Sequence, residues 1–373
     1  MNLHKEMEAI SASSKRTVLL KILFVSILIS SFSNILRAQN NKSFTVGSIE
    51  AKSGEKISGS LIVEKGVDEG TFIPISIING AKSGPVLTLV AGIHGTEYVP
   101  IIALQQLLSE INPNELSGIV ILVHIANIPS FSGRAAYSNP IDGKNLNRFF
   151  PGKKDGTISE RIAYTITNEI IKKSDYYIDL HGGEFNEALV NFLYFQDGCP
   201  ETHLCEKSRM LAHAMGNNYL IPDDYYLVPE TSNNYWSSLA AGRNNVPAIT
   251  VEFGDRGKTD LKDIEFAKKG VINVMRTINM LEGKAFKNEH PLYLIDESSI
   301  ISNYNGILYT LVVKGQYITK GTLIGYTTDY WGNVLEEYHS PISGIVFVVK
   351  ISPAINKGES VFSIAEPANE YKE

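Results

Sequence analysis

The sequence predicts an α/β protein, a mixed sheet flanked by helices, followed by an all-β module. Three observations predict it. Continuous apolar runs end at or near glycine ("GPVLTLVAGIHG", "DYYIDLHGG", "PAITVEFGD"), as strands buried on both faces do. Segments of helical spacing lie between such runs, and strand–helix alternation builds a sheet covered on both sides. After about Lys284 the helical period is absent, and short strands with Gly turns take over.

Each element follows in order. From Phe44 to Ile78 the stretches "FTVGSIE", "ISGSLIVEKG" and "TFIPISIING" alternate and turn at glycine, reading as antiparallel strands. "GPVLTLVAGIHG" is the first buried strand. "EYVPIIALQQLLSEI" has helical spacing, with Pro100 in the first turns, where a missing amide donor is tolerated. "GIVILVHIAN" is a second buried strand. "SERIAYTITNEIIKKS" reads as a helix opened by Ser159 with lysines in its last turn. "DYYIDLHGG" and "PAITVEFGD" are further strands, and "DIEFAKKGVINVMRTINMLEG" is a long closing helix.

The chain has 373 residues, enough for more than one small core. Its 43% hydrophobic and 20% charged content is that of an ordinary globular protein. The net charge of −6, with no long basic tract, speaks against nucleic acid as a partner. Residues 1–38 have the pattern of a secretory signal: Lys15 and Arg16, an apolar stretch purest from Ile22 to Ile29, then small Ala38. The run is short for a membrane span, so no stable insertion is expected after cleavage; an uncleaved anchor is the alternative. The expectation is an exported chain, periplasmic or secreted, with an α/β domain over 39–284 and a β-rich module over 285–373. Export would put Cys199 and Cys205, in "DGCPETHLCEKS", in an oxidising compartment, where they are either a local disulfide or two free thiols.

The chemistry gathers where strands end, as it does in open α/β sheets. His94 and Glu97 are three apart after the first buried strand; His181 follows "YYIDL"; Glu252 lies in "ITVEFG". Two imidazoles and a carboxylate with one position left open form the ligand set of a catalytic zinc site. "NPIDGKNLNRFFPG" crowds polar side chains between turn residues. It is either a loop held by Asn and Asp side chains, or it presents Asn147 and Arg148 as a carboxylate clamp, for which a planar guanidinium is suited. Asp179, two before His181 on a strand, shares its face and either orients that imidazole or bonds backbone. Glu184 is a rival base. His124 reads as a satisfied core histidine. Tyr225, Tyr226 and Tyr235 either border the site or pack on the surface.

"GIHGTE", "DGKNLNRFFPG", "DLHGGE" and "VEFG", in this order, resemble the aspartoacylase and succinylglutamate desuccinylase family of zinc-carboxypeptidase-like hydrolases, over roughly Pro85 to Glu282. The resemblance implies a zinc-carboxypeptidase-like mixed sheet and one Zn2+ per chain on His94, Glu97 and His181. It implies Glu252 as general base, Asn147 and Arg148 as the substrate clamp, and Arg134, the nearest upstream arginine, as the group that steadies the oxyanion. The last part of the chain resembles the barrel-like, biotinyl/lipoyl-type β-domain of longer members, without a carrier lysine in "EEYHSPISG". The expected activity is hydrolysis of an amide bond in an N-acyl amino acid, the substrate being small, anionic and carboxylate-bearing. A metallocarboxypeptidase acting on peptides or cell-wall peptides is the alternative.

Overall fold

The computed structural model describes residues 43–224, 228–229, 232 and 234–371. The expected signal segment, Tyr225 and Tyr226 lie outside these. Among the described residues no helix is long and apolar enough to cross a membrane. A 13-stranded mixed sheet forms the frame. Its middle runs Ser117–Val123, Lys82–Ala91, Tyr176–Gly182, Ala248–Phe253, Phe192–Asp197, Tyr219–Asp224. All of these neighbours are parallel except Ala248–Phe253 against Phe192–Asp197.

Period-2 alternation divides these strands between two cores. Leu87, Leu89, Ile178, Leu180, Ile249 and Val251 face the helices Tyr98–Glu110, Thr202–Met215 and Leu261–Thr277. Val90, Tyr177 and Ala248 face the opposite core, under the helices Ile158–Glu169 and Ser237–Arg243. The mixed α/β fold with helices on both sides is therefore as expected, and the apolar runs read as buried strands are buried.

Several local readings change. The helix at residue 158 is capped by Thr157, whose N–H and hydroxyl both donate to Glu160 Oε2 (3.0 and 3.1 Å). Ser159, read as the opening residue, instead donates from its amide and hydroxyl to Asp142 (3.0 and 2.9 Å). Of the two states left open for Cys199 and Cys205 the disulfide is the one present, and Cys205 lies in the helix Thr202–Met215.

The C-terminal residues are all strand and turn, but half of them continue the large sheet. Leu292–Ile301 pairs in parallel with Tyr219–Asp224 at two positions, and Ser360–Ala368 and Gly344–Lys350 follow outward. A separate four-stranded antiparallel sheet contains Gly306–Thr310, Leu323–Thr328, Val334–His339 and Ala354–Ile355. Leu308, Ile324 and Tyr338 of that sheet share a core with Val346, Phe362 and Ile364 of the large one. Two facing sheets result; among the described residues no closed barrel forms, because one of them remains open into the catalytic sheet.

Candidate active site

His94 and Glu97 lie in a tight turn between the strand Lys82–Ala91 and the helix Tyr98–Glu110. Asn127 pins that turn: its amide donates to Gly92 O (2.9 Å) and its side chain to Ile93 O (3.2 Å). Gly95 is required, since a Cβ there would stand 2.2 Å from Ser130 O. Gly182, after His181, is required for the same reason, its Cβ meeting Phe253 O at 2.3 Å. Each "His-Gly" thus reflects backbone passing close to the site.

Register supplies the rest. Glu252 is the partner of His181, and Thr250 of Asp179, across parallel strands. Thr250 also pairs with Tyr194. Asp179, His181, Thr250 and Glu252 therefore emerge on the same sheet face, with Tyr177 and Ala248 below them in the core.

Candidate ligand atoms of His94, Glu97 and His181 lie within 4.8 Å of one another, and all three residues are buried. His94 Nδ1 is 2.7 Å from Glu97 Oε1, and His181 Nδ1 is 2.9 Å from Glu97 Oε2. The other ring nitrogens face acceptors: His94 Nε2 meets Asn145 Oδ1 at 3.0 Å, and His181 Nε2 meets Asp179 Oδ2 at 2.9 Å. An Nε2–H proton satisfies each of those acceptors. Both Nδ1 lone pairs then converge on the Glu97 carboxylate, whose Oε2 has no hydrogen-bond donor although it is buried. Acceptors set against acceptors need a cation among them, so the donor set fits a metal. The same closeness shifts the titration of all three groups. Burial would raise the Glu97 carboxyl, but the two imidazoles outweigh it and hold it at about 2. Burial would lower the pKa of His94, but Glu97 outweighs it and raises it. For His181, burial is likewise overcome, by Asp179 and Glu97, and the rise is large.

Asp179 is fully buried and is held by the Ser237 hydroxyl, so it orients the His181 ring. Glu252 is half-buried and borders the cleft; burial pushes its carboxyl well up, against the pull of His181. Glu184 is buried behind His94, accepting from the Thr96 hydroxyl and the Tyr137 amide (2.7 Å), and burial with Glu97 lifts it to about 8. It does not border the cleft.

That cleft measures about 290 Å³ and is lined by His94, His181, Glu252, Asn147 and Arg148, with Tyr194, Thr250, Asp223 and Trp236. Asn147 accepts from Ser237 N (2.9 Å), and its amide nitrogen is 3.2 Å from His181 Nε2. Arg148 is exposed, with Nη1 donating to Asn147 O at 2.7 Å. The structure thus brings His94, Glu97, His181, Glu252, Asn147 and Arg148 together. It does not bring Arg134: that residue is exposed in a left-handed turn (φ 50°) and does not line the cleft. Tyr235 is buried and paired through its backbone with Phe150, away from the mouth. His124 is half-buried with Nε2 on Ser76 Oγ (2.8 Å). A roomier recess of about 460 Å³, lined by Met210, His213 and Phe286 among others, has no converging ligand set.

Sequence reading missed Asn145, Thr96, Ser237, Tyr194, Asp223 and Trp236. Asn145 stands inside the quoted "NPIDGKNLNRFFPG" and Thr96 inside "GIHGTE", so motif position pointed to them; the others come from segments with no motif.

The chain is 26% identical over 303 residues to an N-alpha-acetyl-L-2,4-diaminobutyric acid deacetylase of Halomonas elongata, covering 79% of this chain and 86% of that one. It is similar to the product-bound ectoine utilization protein EutE (DoeB) from Ruegeria pomeroyi, with a TM-score of 0.75, 25% identity, and 88% of this chain and 100% of that chain covered. A succinylglutamate desuccinylase from a Silicibacter species superimposes with a TM-score of 0.73 at 25% identity, covering 83% and 95%. Residues 83–278 match the model of the succinylglutamate desuccinylase/aspartoacylase catalytic domain. The turn carrying His94 and Glu97, the strand ends carrying His181 and Glu252, and the Asn147–Arg148 loop all fall in that span, and the chain belongs to the succinylglutamate desuccinylase/aspartoacylase family.

Proposed function

We propose that the protein is a zinc-dependent amidohydrolase that removes the acyl group from a small, carboxylate-bearing N-acyl amino acid. The observation that carries this reading is the convergence of His94 Nδ1, His181 Nδ1 and the Glu97 carboxylate beside Glu252 in one cleft. A zinc ion held there supplies a Lewis acid for the amide carbonyl and lowers the pKa of a water it holds to about 7.

The chain's own residues do the rest. Arg148 binds the substrate carboxylate, with Asn147 beside it. Glu252 accepts a proton from the attacking water and returns it to the departing amine nitrogen. Glu184, the rival base, already accepts two hydrogen bonds behind His94. Arg134 is given no part in this reading. The small cleft favours a single N-acyl amino acid over the peptide substrate of a carboxypeptidase. The signal pattern of residues 1–38 and the Cys199–Cys205 bond support an exported protein.

The test is a hydrolysis screen of N-acyl amino acids and short peptides with zinc-loaded mature protein, alongside Glu252→Gln. The expected result is turnover of N-acyl amino acids and a loss of about 10²–10⁴-fold in kcat for the variant, with zinc content unchanged. Peptides as the better substrates, or normal kcat in Glu252→Gln, would overturn it.

A further inference from the structure

The loop that carries the carboxylate clamp lies against both imidazoles. Asn145 Oδ1 faces His94 Nε2 at 3.0 Å and also accepts the Asn147 amide at 2.9 Å. The Asn147 side-chain nitrogen stands 3.2 Å from His181 Nε2. Ser237 meets this arrangement from the first turn of the helix Ser237–Arg243, where it is fully buried. Its two donors go to two different parts of the site. The backbone N–H donates to Asn147 Oδ1 at 2.9 Å. The hydroxyl donates to Asp179 Oδ2, the oxygen that also stands 2.9 Å from His181 Nε2.

Each contact settles an orientation. A backbone N–H only donates, so the Asn147 atom that faces it is the oxygen. The Asn147 NH2 is thereby turned toward His181 and the cleft that Asn147 lines. With the His181 Nε2 proton directed to Asp179, that nitrogen has no lone pair for the NH2, whose hydrogens are left to a ligand in the cleft. Turned the other way, Asn147 would set an oxygen against a substrate carboxylate and repel it. Asp179 is fully buried, and its Oδ1 has no hydrogen-bond partner among the described residues. The Ser237 hydroxyl and the His181 ring thus hold the carboxylate together, through Oδ2. The Ser237 N–H is one of the first-turn amides that lack an acceptor within their own helix, so directing it to Asn147 takes nothing from the helix.

We propose that Ser237 is a positioning residue with two separable tasks. Its amide orients Asn147 as a donor to the substrate carboxylate. Its hydroxyl orients Asp179, and through it the His181 ring, toward a bound zinc. This rests on the hydrolase reading above for the roles of clamp and metal, and adds the residue that sets both.

Two substitutions divide the tasks. Ser237→Ala removes the hydroxyl and keeps the amide. Ser237→Pro removes both. The position suits proline, because Ser237 opens the helix and Trp236 before it has extended backbone (φ −87°, ψ 166°). Zinc affinity is read by competition with a chelating dye. Clamp affinity is read calorimetrically at saturating zinc with levulinate, the ketone isostere of N-acetylglycine, which cannot be hydrolysed, and with its neutral amide. Ser237→Ala should lose about 3- to 30-fold in zinc affinity, less than a direct partner of the ring, and bind levulinate as wild type does. Combined with Asp179→Asn it should lose little more, because it acts through that carboxylate. Ser237→Pro should show the same zinc loss and also bind levulinate about 5- to 50-fold more weakly, with the neutral amide unaffected. Wild-type zinc affinity in Ser237→Ala, full additivity with Asp179→Asn, or equal levulinate binding in Ser237→Pro and Ser237→Ala would each overturn the assignment. So would equal losses of both affinities in Ser237→Ala, the mark of a residue that only supports the fold. Where Ser237→Pro does not fold, Asn147→Asp takes its place, setting an oxygen where the NH2 stands. It should keep zinc and lose levulinate, and unchanged levulinate binding would overturn the task of the amide. Zinc and levulinate binding without hydrolysis of any N-acyl amino acid would leave Ser237 standing and defeat the hydrolase reading. Levulinate bound no better than its amide by wild type would defeat the clamp, and the task of the amide with it.

Discussion

At the residue scale, the two imidazoles are held from behind. Asp179 and Asn145 accept from the Nε2 side, which leaves Nδ1 of each ring toward Glu97. His181→Ala should therefore abolish stoichiometric zinc, measured by elemental analysis after dialysis, and full occupancy would refute the ligand set. Asp179→Asn should keep zinc but weaken it by roughly 10- to 100-fold, because an amide can turn its donor to Nε2 and favour the wrong tautomer. A competition titration with a chelating dye reads that difference. The sequence placed Asp179 on the face of His181 by period 2, yet left open whether it bonds backbone or the ring. Only the position of Ser237, 58 residues away, adds a second donor to Oδ2, the carboxylate oxygen that faces the ring.

At the element scale, the loop that carries Asn147 and Arg148 is tied to the start of the helix Ile158–Glu169. Glu160 accepts from Thr157 and from Lys144 Nζ (2.9 Å) and pairs with Lys153 (3.1 Å). Burial opposes ionisation of Glu160, but the lysines and the Thr157 amide outweigh it and hold the carboxyl at about 2. Its folded pKa lies below the ordinary value of 4.5, so its contribution is complete above that pH and is lost as pH falls toward about 2. Glu160→Gln should cost about 2 kcal/mol at pH 7, with the exposed lysines reducing the ideal value, and almost nothing near pH 2. Urea unfolding at both pH values checks this; an equal cost at both would contradict the ionic origin. The helix itself was legible from its apolar spacing, whereas its cap was not. Ser159 and Thr157 are both good caps by type, and the choice depends on Asp142 engaging Ser159 from another segment.

At the scale of the whole molecule, the C-terminal strands brace the catalytic ones. Gly344–Lys350 pairs with Glu187–Leu189, just past His181. Buried Lys350 donates to the Tyr137 hydroxyl and faces Glu187 at 3.5 Å, while Lys314 pairs with Asp255 at 2.8 Å, just past Glu252. Phe192 and Ile221 share a core with Leu294, Ile345 and Phe347. Truncation after residue 284 should thus expose that apolar face and give an insoluble or molten chain, and the intact protein should unfold in one calorimetric transition. Two separated transitions, or a truncated chain that folds and binds zinc, would show that the modules are independent. Lys350→Met should lower kcat several-fold while keeping zinc, since Tyr137 also donates its amide to Glu184 behind His94.

The sequence by itself determined the α/β class, the buried strands, the family and the residues that gather at strand ends. These depend on local signals: apolar runs of strand length, helical period, and glycines beside His94 and His181 where backbone comes close. Tertiary structure alone decided that Arg134 stays outside the cleft, that Asp223 and Trp236 line it, and that the C-terminal strands extend the catalytic sheet. Each of these depends on which strands become neighbours. Register across a sheet joins residues far apart in sequence, and the energy that selects it comes from cores that no single segment contains.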